Sequence, residues 1–227
     1  MSNLNQTLLA LALICATQQY AQSQPVAPPS SIDVPNAPIP MRILVQSPAD
    51  TVTDLQVICL FQSSPANTLH GSLIETNQQL HGLLDRIRRP DLFRGELGET
   101  LLIAAPNPGA AARKLLIVGL GDSTTFTPRR MQLIGEILYR EASRLGVTHP
   151  FFAPAILDGG VAKFTTGEVA EQVVTGFLRA AATEKALRDA KASATQPVTA
   201  LTFLAGAAHA ADTRDGIGKA ISAASRK

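Results

Sequence analysis

The chain has 227 residues, 45% of them apolar, which is enough for one domain of ordinary size with its own core and a tail. A formal net charge of +2, 4% aromatic residues and no Trp give neither a strong electrostatic footprint nor base-stacking platforms, which argues against a nucleic-acid partner. The two cysteines, Cys15 and Cys59, have no metal-ligand spacing and define no disulfide framework; Cys59 reads as a small buried hydrophobe.

Residues 1–32 carry no charged side chain. Residues 8–16 form an apolar core of signal-peptide length, too short to span a bilayer, and Ala21-Gln22-Ser23 fits the small-x-small rule for cleavage before Gln24. These features predict a secretory signal peptide over residues 1–23 and export to the periplasm or the extracellular space, with no membrane span in the mature protein. The n-region lacks Lys and Arg, and the alternative is a buried or amphipathic helix in a cytoplasmic protein. Six of the 15 prolines fall in residues 24–40, which predicts an extended, polyproline-like linker and a folded domain over residues 41–227.

Residues 41–46 read as a first strand, and the more continuously apolar residues 55–61 as a second, more central one. Leu73, Leu80, Leu83, Leu84 and Ile87 recur at helical spacing with polar residues between them, predicting one amphipathic helix ended by Pro90. Residues 93–99 hold two glycines and enter a third strand, 100–105. Asn107-Pro108-Gly109 signals a turn into a fourth strand, 114–119, so these two strands form a hairpin and the sheet is mixed. Lys114 to Gly119 is expected at the centre of the sheet. Pro128 starts a helix whose buried stripe is Met131, Ile134, Leu138, Ala142 and Leu145, closed by Gly146. Residues 150–155 make a short strand doubtful for its prolines. Thr165 or Thr166 caps a long helix with a buried face of Val169, Val173, Phe177, Ala180 and Ala181. A last strand over 198–204 and a small-residue helix over 212–225 follow. Strands alternating with helices after the hairpin predict an α/β fold: a three-layer α/β/α domain with a mixed sheet of about six strands.

Phe93-x-Gly95-x-x-Gly98-Glu99, a strand, then Lys114-Leu-Leu-Ile-Val-Gly119-Leu-Gly121 and a helix resemble the N-terminal domain of the leucyl aminopeptidases, peptidase family M17. The resemblance covers about residues 41–225 and implies a macro-domain-like fold. In that family peptide hydrolysis belongs to a separate, larger C-terminal domain with two divalent metals on Asp, Glu and Lys ligands, including an Asn-Thr-Asp-Ala-Glu-Gly-Arg segment. No such segment occurs here, so the resemblance carries over no catalytic residue, metal ligand or cofactor. The expectation is a stand-alone N-terminal-like domain without peptidase activity of its own. It would serve as a non-catalytic binding or interaction module that self-associates or engages a protein partner. The alternatives are a small-ligand or nucleotide-binding protein, and an aminopeptidase acting with a separate catalytic partner.

The candidate ligand site is a pair of glycine-containing loops. Gly119, Gly121, Asp122 and Ser123 follow a predicted strand and precede a helix, a place where backbone N–H groups meet anions; the third glycine of the dinucleotide fingerprint is missing. Asp158, Gly159 and Gly160 form the second loop. If the two lie side by side at the carboxyl ends of the strands, they frame a crevice. The competing reading gives the glycines to the turn and Ser123, Thr124 and Thr125 to capping the helix near Pro128. Phe61-Gln62-Ser63-Ser64 stands where ADP-ribose-binding macro domains carry an Asn-rich segment. His70, His81, His149 and His209 have no paired-ligand spacing, and Glu96 and Glu99 are too few carboxylates for a two-metal site.

Overall fold

Alternation along the strands sorts the apolar side chains onto two faces of one sheet. The computed structural model describes residues 29–63, 68–89, 92–104 and 111–226. The expected signal peptide, the Asn107–Gly109 turn and the helix stop at Pro90 lie outside these residues. The strands are β1 (Ser31–Val34), β2 (Met41–Val45), β3 (Gln56–Leu60), β4 (Thr100–Ala104), β5 (Lys114–Gly119), β6 (Phe151–Ala153) and β7 (Leu201–Ala205). The helices are α1 (Gly71–Gln79), α2 (Leu83–Ile87), α3 (Met131–Arg144), α4 (Thr166–Asp189) and α5 (Ala210–Ala224).

The seven strands are ordered β1-β2-β7-β6-β3-β5-β4. Five run parallel, and each edge carries one antiparallel strand, β1 on β2 and β4 on β5. Along β3, Val57 and Cys59 face the layer of α3, α4 and α5, while Ile58 and Leu60 face α1 and α2. In β5, Leu116 and Val118 take the first side and Leu115 and Ile117 the second. Both faces of the sheet are therefore covered, which is why these strands read as continuous apolar runs. Each side chain so buried contributes roughly 1.5–3 kcal/mol. Cys59 is buried and unpaired, and burial pushes its thiol pKa up, so it behaves as a hydrophobe rather than a nucleophile.

Four expectations are corrected. Residues 31–34 are not linker: they pair with β2, and the Val45 N–H donates to the Ser30 carbonyl at 2.9 Å, so the sheet begins ten residues before Met41. Pro29 and Pro35 flank this strand without entering it, and it supplies the seventh strand. The helix expected across residues 73–87 is two helices. His81 (φ 52°) and Gly82 (φ 76°) are left-handed and break it after Leu80. The middle strand is β6, not β5; Pro150 and Pro154 bracket it, leaving the Phe151 N–H free to reach the Leu55 carbonyl at 2.9 Å. Residues 123–125 do not cap α3. They form a separate 3-10 turn capped by Asp122, and Pro128 opens another short 3-10 turn before Met131. The buried stripes of α3 and α4 are as expected except that Leu145 and Ala181 are only half-buried.

At the amino ends of the parallel strands, the buried Thr202 hydroxyl accepts from Arg42 Nε at 3.1 Å and lies 2.9 Å from His149 Nε2. Burial, followed by the nearby Arg42 charge, lowers the His149 pKa.

On the other face the helices touch backbone to backbone. A Cβ on Gly135 of α3 would lie 2.0 Å from the Val173 carbonyl oxygen, and one on Gly176 of α4 1.9 Å from that of Gln132. A Cβ on Gly216 of α5 would lie 2.0 Å from the Gly167 carbonyl oxygen. Beside these contacts Tyr139 and Phe177 meet edge to face at 5.1 Å, and Glu136 pairs with Arg140 and Arg179. Asp212 ties α5 to the start of α4: its Oδ2 accepts from the Gly167 N–H at 2.6 Å and the Thr166 hydroxyl at 2.9 Å. The Gly167 N–H, followed by the Thr166 hydroxyl, holds the Asp212 carboxyl below the usual carboxylate range.

Gly216→Ala is expected to cost about 1–3 kcal/mol by overpacking against backbone, which outweighs the gain of about 1 kcal/mol in helix propensity. Gly218→Ala, two residues on with nothing within 4 Å of the added methyl, should instead gain roughly 0.5–1 kcal/mol. Urea melts of the two variants decide this, and equal effects would sink the close-contact account. For Asp212, a depressed folded pKa means stability present above the unfolded value of about 3.9 and lost as pH falls through the folded one. The melting-temperature gap between wild type and Asp212→Asn should be full near neutral pH and close on acidification below about pH 4. A gap constant across that range contradicts it.

Candidate functional site

The carboxyl ends of β2, β6 and β7 and the amino ends of α1 and α4 enclose a cavity of about 540 Å³. This is the place where open α/β sheets hold ligands. Its walls are mainly apolar, from Ile156, Phe164, Val169, Phe203 and Leu204, and its polar groups include Ser47, Glu75, Asp158, Thr166 and His209.

One floor of the cavity depends on a strained turn. Ala155, just past β6 and in the cavity wall, has φ 53°, a left-handed conformation that costs a non-glycine residue about 1–2 kcal/mol. From there the chain folds back, with the Gly159 N–H donating to the Ala155 carbonyl at 2.9 Å and the Val161 N–H to that of Ile156 at 3.1 Å. The reversal sets Asp158 against the start of α1. Its backbone carbonyl accepts from the His70 N–H at 2.9 Å, and its Oδ2 accepts from the Ser72 N–H at 3.2 Å and from the Ser72 hydroxyl. Gly71 (φ 47°) permits this approach, since a Cβ there would lie 2.2 Å from Asp158 Oδ1. One turn along α1, Glu75 Oε2 accepts from the Ser47 hydroxyl at 2.5 Å.

The amino end of α4 is closed by a capping box. The Glu168 N–H donates to Thr165 Oγ1 at 3.1 Å, and the Thr165 N–H to Glu168 Oε2 at 2.8 Å. Asp212 takes the Gly167 N–H as described above.

Of the residues anticipated from the two loops, Asp158 alone lines the cavity. Gly159 is buried behind the Phe61 ring, which a Cβ would meet at 2.7 Å, and Gly160 (φ 86°) is an exposed turn residue. Gly119, Gly121, Asp122 and Ser123 are not at the cavity. The expected shared crevice is replaced by the end of β3: Phe61 packs on Gly159, while the Gln62 N–H donates to the Gly121 carbonyl at 3.0 Å. The backbone donors of the Gly119 loop serve the fold. The N–H groups of Gly119, Leu120 and Gly121 go to the carbonyls of Glu99, Leu60 and Gly95 at 2.8–2.9 Å. A Cβ on Gly119 would lie 2.0 Å from the Glu96 carbonyl oxygen, so residues 93–99 cover this turn. The Thr124 N–H and hydroxyl lower the pKa of Asp122 and use both its carboxylate oxygens.

Glu99 caps its own turn, accepting from the N–H groups of Arg94 and Glu96 at 3.2 and 3.0 Å. Among the described residues no three His, Cys, Asp or Glu side chains are placed to share a metal ion, and no helix is long and apolar enough to cross a membrane. His209 is the one histidine in the cavity wall; His70 and His81 flank α1, and His149 serves Thr202.

Comparison with known proteins gives this architecture a lineage. A probable cytosol aminopeptidase of Thermosynechococcus vestitus is 32% identical over 91 residues, which is 40% of this chain and 18% of that protein. The chain thus spans less than a fifth of that curated relative. Among solved structures, a variant of tomato leucine aminopeptidase superposes with a TM-score of 0.60 at 18% identity, covering 85% of this chain and 37% of the other. A variant of the Oceanobacillus iheyensis macrodomain gives a TM-score of 0.57 at 14% identity, covering 86% of this chain and 99% of the other. A Trypanosoma brucei macrodomain, solved in complex with ADP, gives 0.50 at 14% identity, covering 78% and 69%. These likenesses show a macrodomain-like fold. The family model for the N-terminal domain of the cytosol aminopeptidase family matches residues 57–196, more than half of the sequence, and the chain belongs to that family.

Proposed function

We propose that this domain is a non-catalytic binding module, and that the cavity between α1, α4 and the ends of β2, β6 and β7 holds a small molecule. The observation that carries this reading is the cavity itself. It is concave and mostly apolar with a few convergent polar groups, and one wall is held by a left-handed alanine. A volume of about 540 Å³ lies within the usual range for small-ligand sites. The signal-like residues 1–23 make export part of the proposal, tested by the mature N-terminus and the cell fraction that holds it.

A small-molecule screen by thermal shift tests the module. A ligand at 100 times its Kd adds about 2.7 kcal/mol of stability, or roughly 5–10 °C for a domain of this size. Gly206 lines the mouth with an ordinary extended backbone (φ −67°, ψ 154°), and an added Cβ would meet only the His209 ring, at an ordinary contact distance of 3.8 Å. Gly206→Phe should therefore keep the unliganded melting temperature and abolish the ligand-induced rise. Hydrolysis of leucyl substrates by the purified chain with added Mn²⁺ would refute the non-catalytic half of the proposal.

A further inference from the structure

We propose that the cavity selects a compact apolar molecule bearing a protonated amine and rejects phosphates and other strong anions. This rests on the cavity being a binding site, as proposed above, and specifies the chemistry of its ligand.

A helix amino terminus attracts anions through unpaired N–H groups and the positive end of its dipole. Two such termini border this cavity, and the chain's own carboxylates already hold both. At α1, Asp158 takes the Ser72 N–H and hydroxyl, and the Leu73 N–H donates to the His70 carbonyl at 3.0 Å. At α4, Glu168 takes the Thr165 N–H, Asp212 takes the Gly167 N–H, and Thr165 Oγ1 takes the Glu168 N–H. A phosphate arriving at either end would find the N–H groups of Ser72, Leu73, Gly167 and Glu168 used and a carboxylate in its place.

The charge of the wall has the same sense. Among the described residues that line the cavity, Glu75 and Asp158 are the acids, His209 is the one titratable base, and there is no Lys or Arg. Lys163 lies 5.1 Å over the Phe164 ring and is not a lining residue. Ser72 and Glu75 are three residues apart on α1 and so share a face, which brings Glu75 to the side that Asp158 caps. Glu75 Oε1 and Asp158 Oδ1 have no hydrogen-bond donor among the described residues, so each acid keeps an acceptor for an ammonium group. The apolar wall of Ile156, Phe164, Val169, Phe203 and Leu204 fits a hydrocarbon body beneath it.

The test is calorimetry and thermal shift on the full chain with 2-phenylethylamine, its neutral isostere 2-phenylethanol, phenylacetate, ADP and inorganic pyrophosphate. The amine should bind at least about tenfold more tightly than the alcohol, with phenylacetate, ADP and pyrophosphate weaker still. Glu75→Gln, an exposed position on α1, should lower amine affinity about tenfold while leaving alcohol binding and the unliganded melting temperature unchanged. Tighter binding of ADP, pyrophosphate or phenylacetate than of the amine overturns the inference and leaves the binding-module reading standing. So does equal binding of amine and alcohol, or an amine affinity untouched by Glu75→Gln. No binding by any of the five probes overturns both.

Discussion

Backbone contact between helices is the constraint on which the rest of this domain depends. Where α4 crosses α3 and α5, glycines bring carbonyl oxygens to within the space a methyl group would need. Close packing at Gly135, Gly176 and Gly216 fixes where α4 begins as well as how it runs. Its first turn is one wall of the cavity, and Asp212 reaches it only because α5 lies so near. The cavity wall, the helix layer and the coverage of the sheet are consequences of the same short approach.

Much of the architecture was legible in the sequence, because burial on both faces writes a strong signal. The runs at 56–60 and 114–119, the stripe Met131-Ile134-Leu138-Ala142 and a threonine cap at 165 or 166 each state their own structure through period or cap chemistry. What was not legible turned on proline and glycine. Pro29, Pro35 and the prolines after it mask a four-residue strand that avoids them, and Pro150 and Pro154 hide the central place of the short strand between them. At His81–Gly82 the apolar period continues across a break that only the left-handed backbone reveals.

The site was less legible for a different reason. A glycine turn after a buried strand has the same sequence whether its N–H groups face a ligand or a neighbouring loop. Here residues 93–99 use those donors, a fact of tertiary contact that no local pattern encodes. Asp158 was found because acid-glycine-glycine marks a turn. Glu75 and His209 were missed as cavity residues. Ser72-x-x-Glu75 has capping-box spacing, which was the one available hint, and in the fold Asp158 takes the capping position that Glu75 would have filled.

The strand order also bears on how the chain assembles. β3, β5 and β4 come together from residues 56–119, but β2 is neighboured by β1 and β7, so its parallel partner lies about 160 residues away, as the Arg42–Thr202 bond shows. Contacts of such separation pay a large loop-closure entropy and form late. During synthesis the β1–β2 ribbon emerges early and then waits, with the open edge and apolar face of β2 uncovered, until the last strand and α5 arrive. The amino-terminal end of this sheet is thus the part of the molecule most exposed to mispairing before folding is complete.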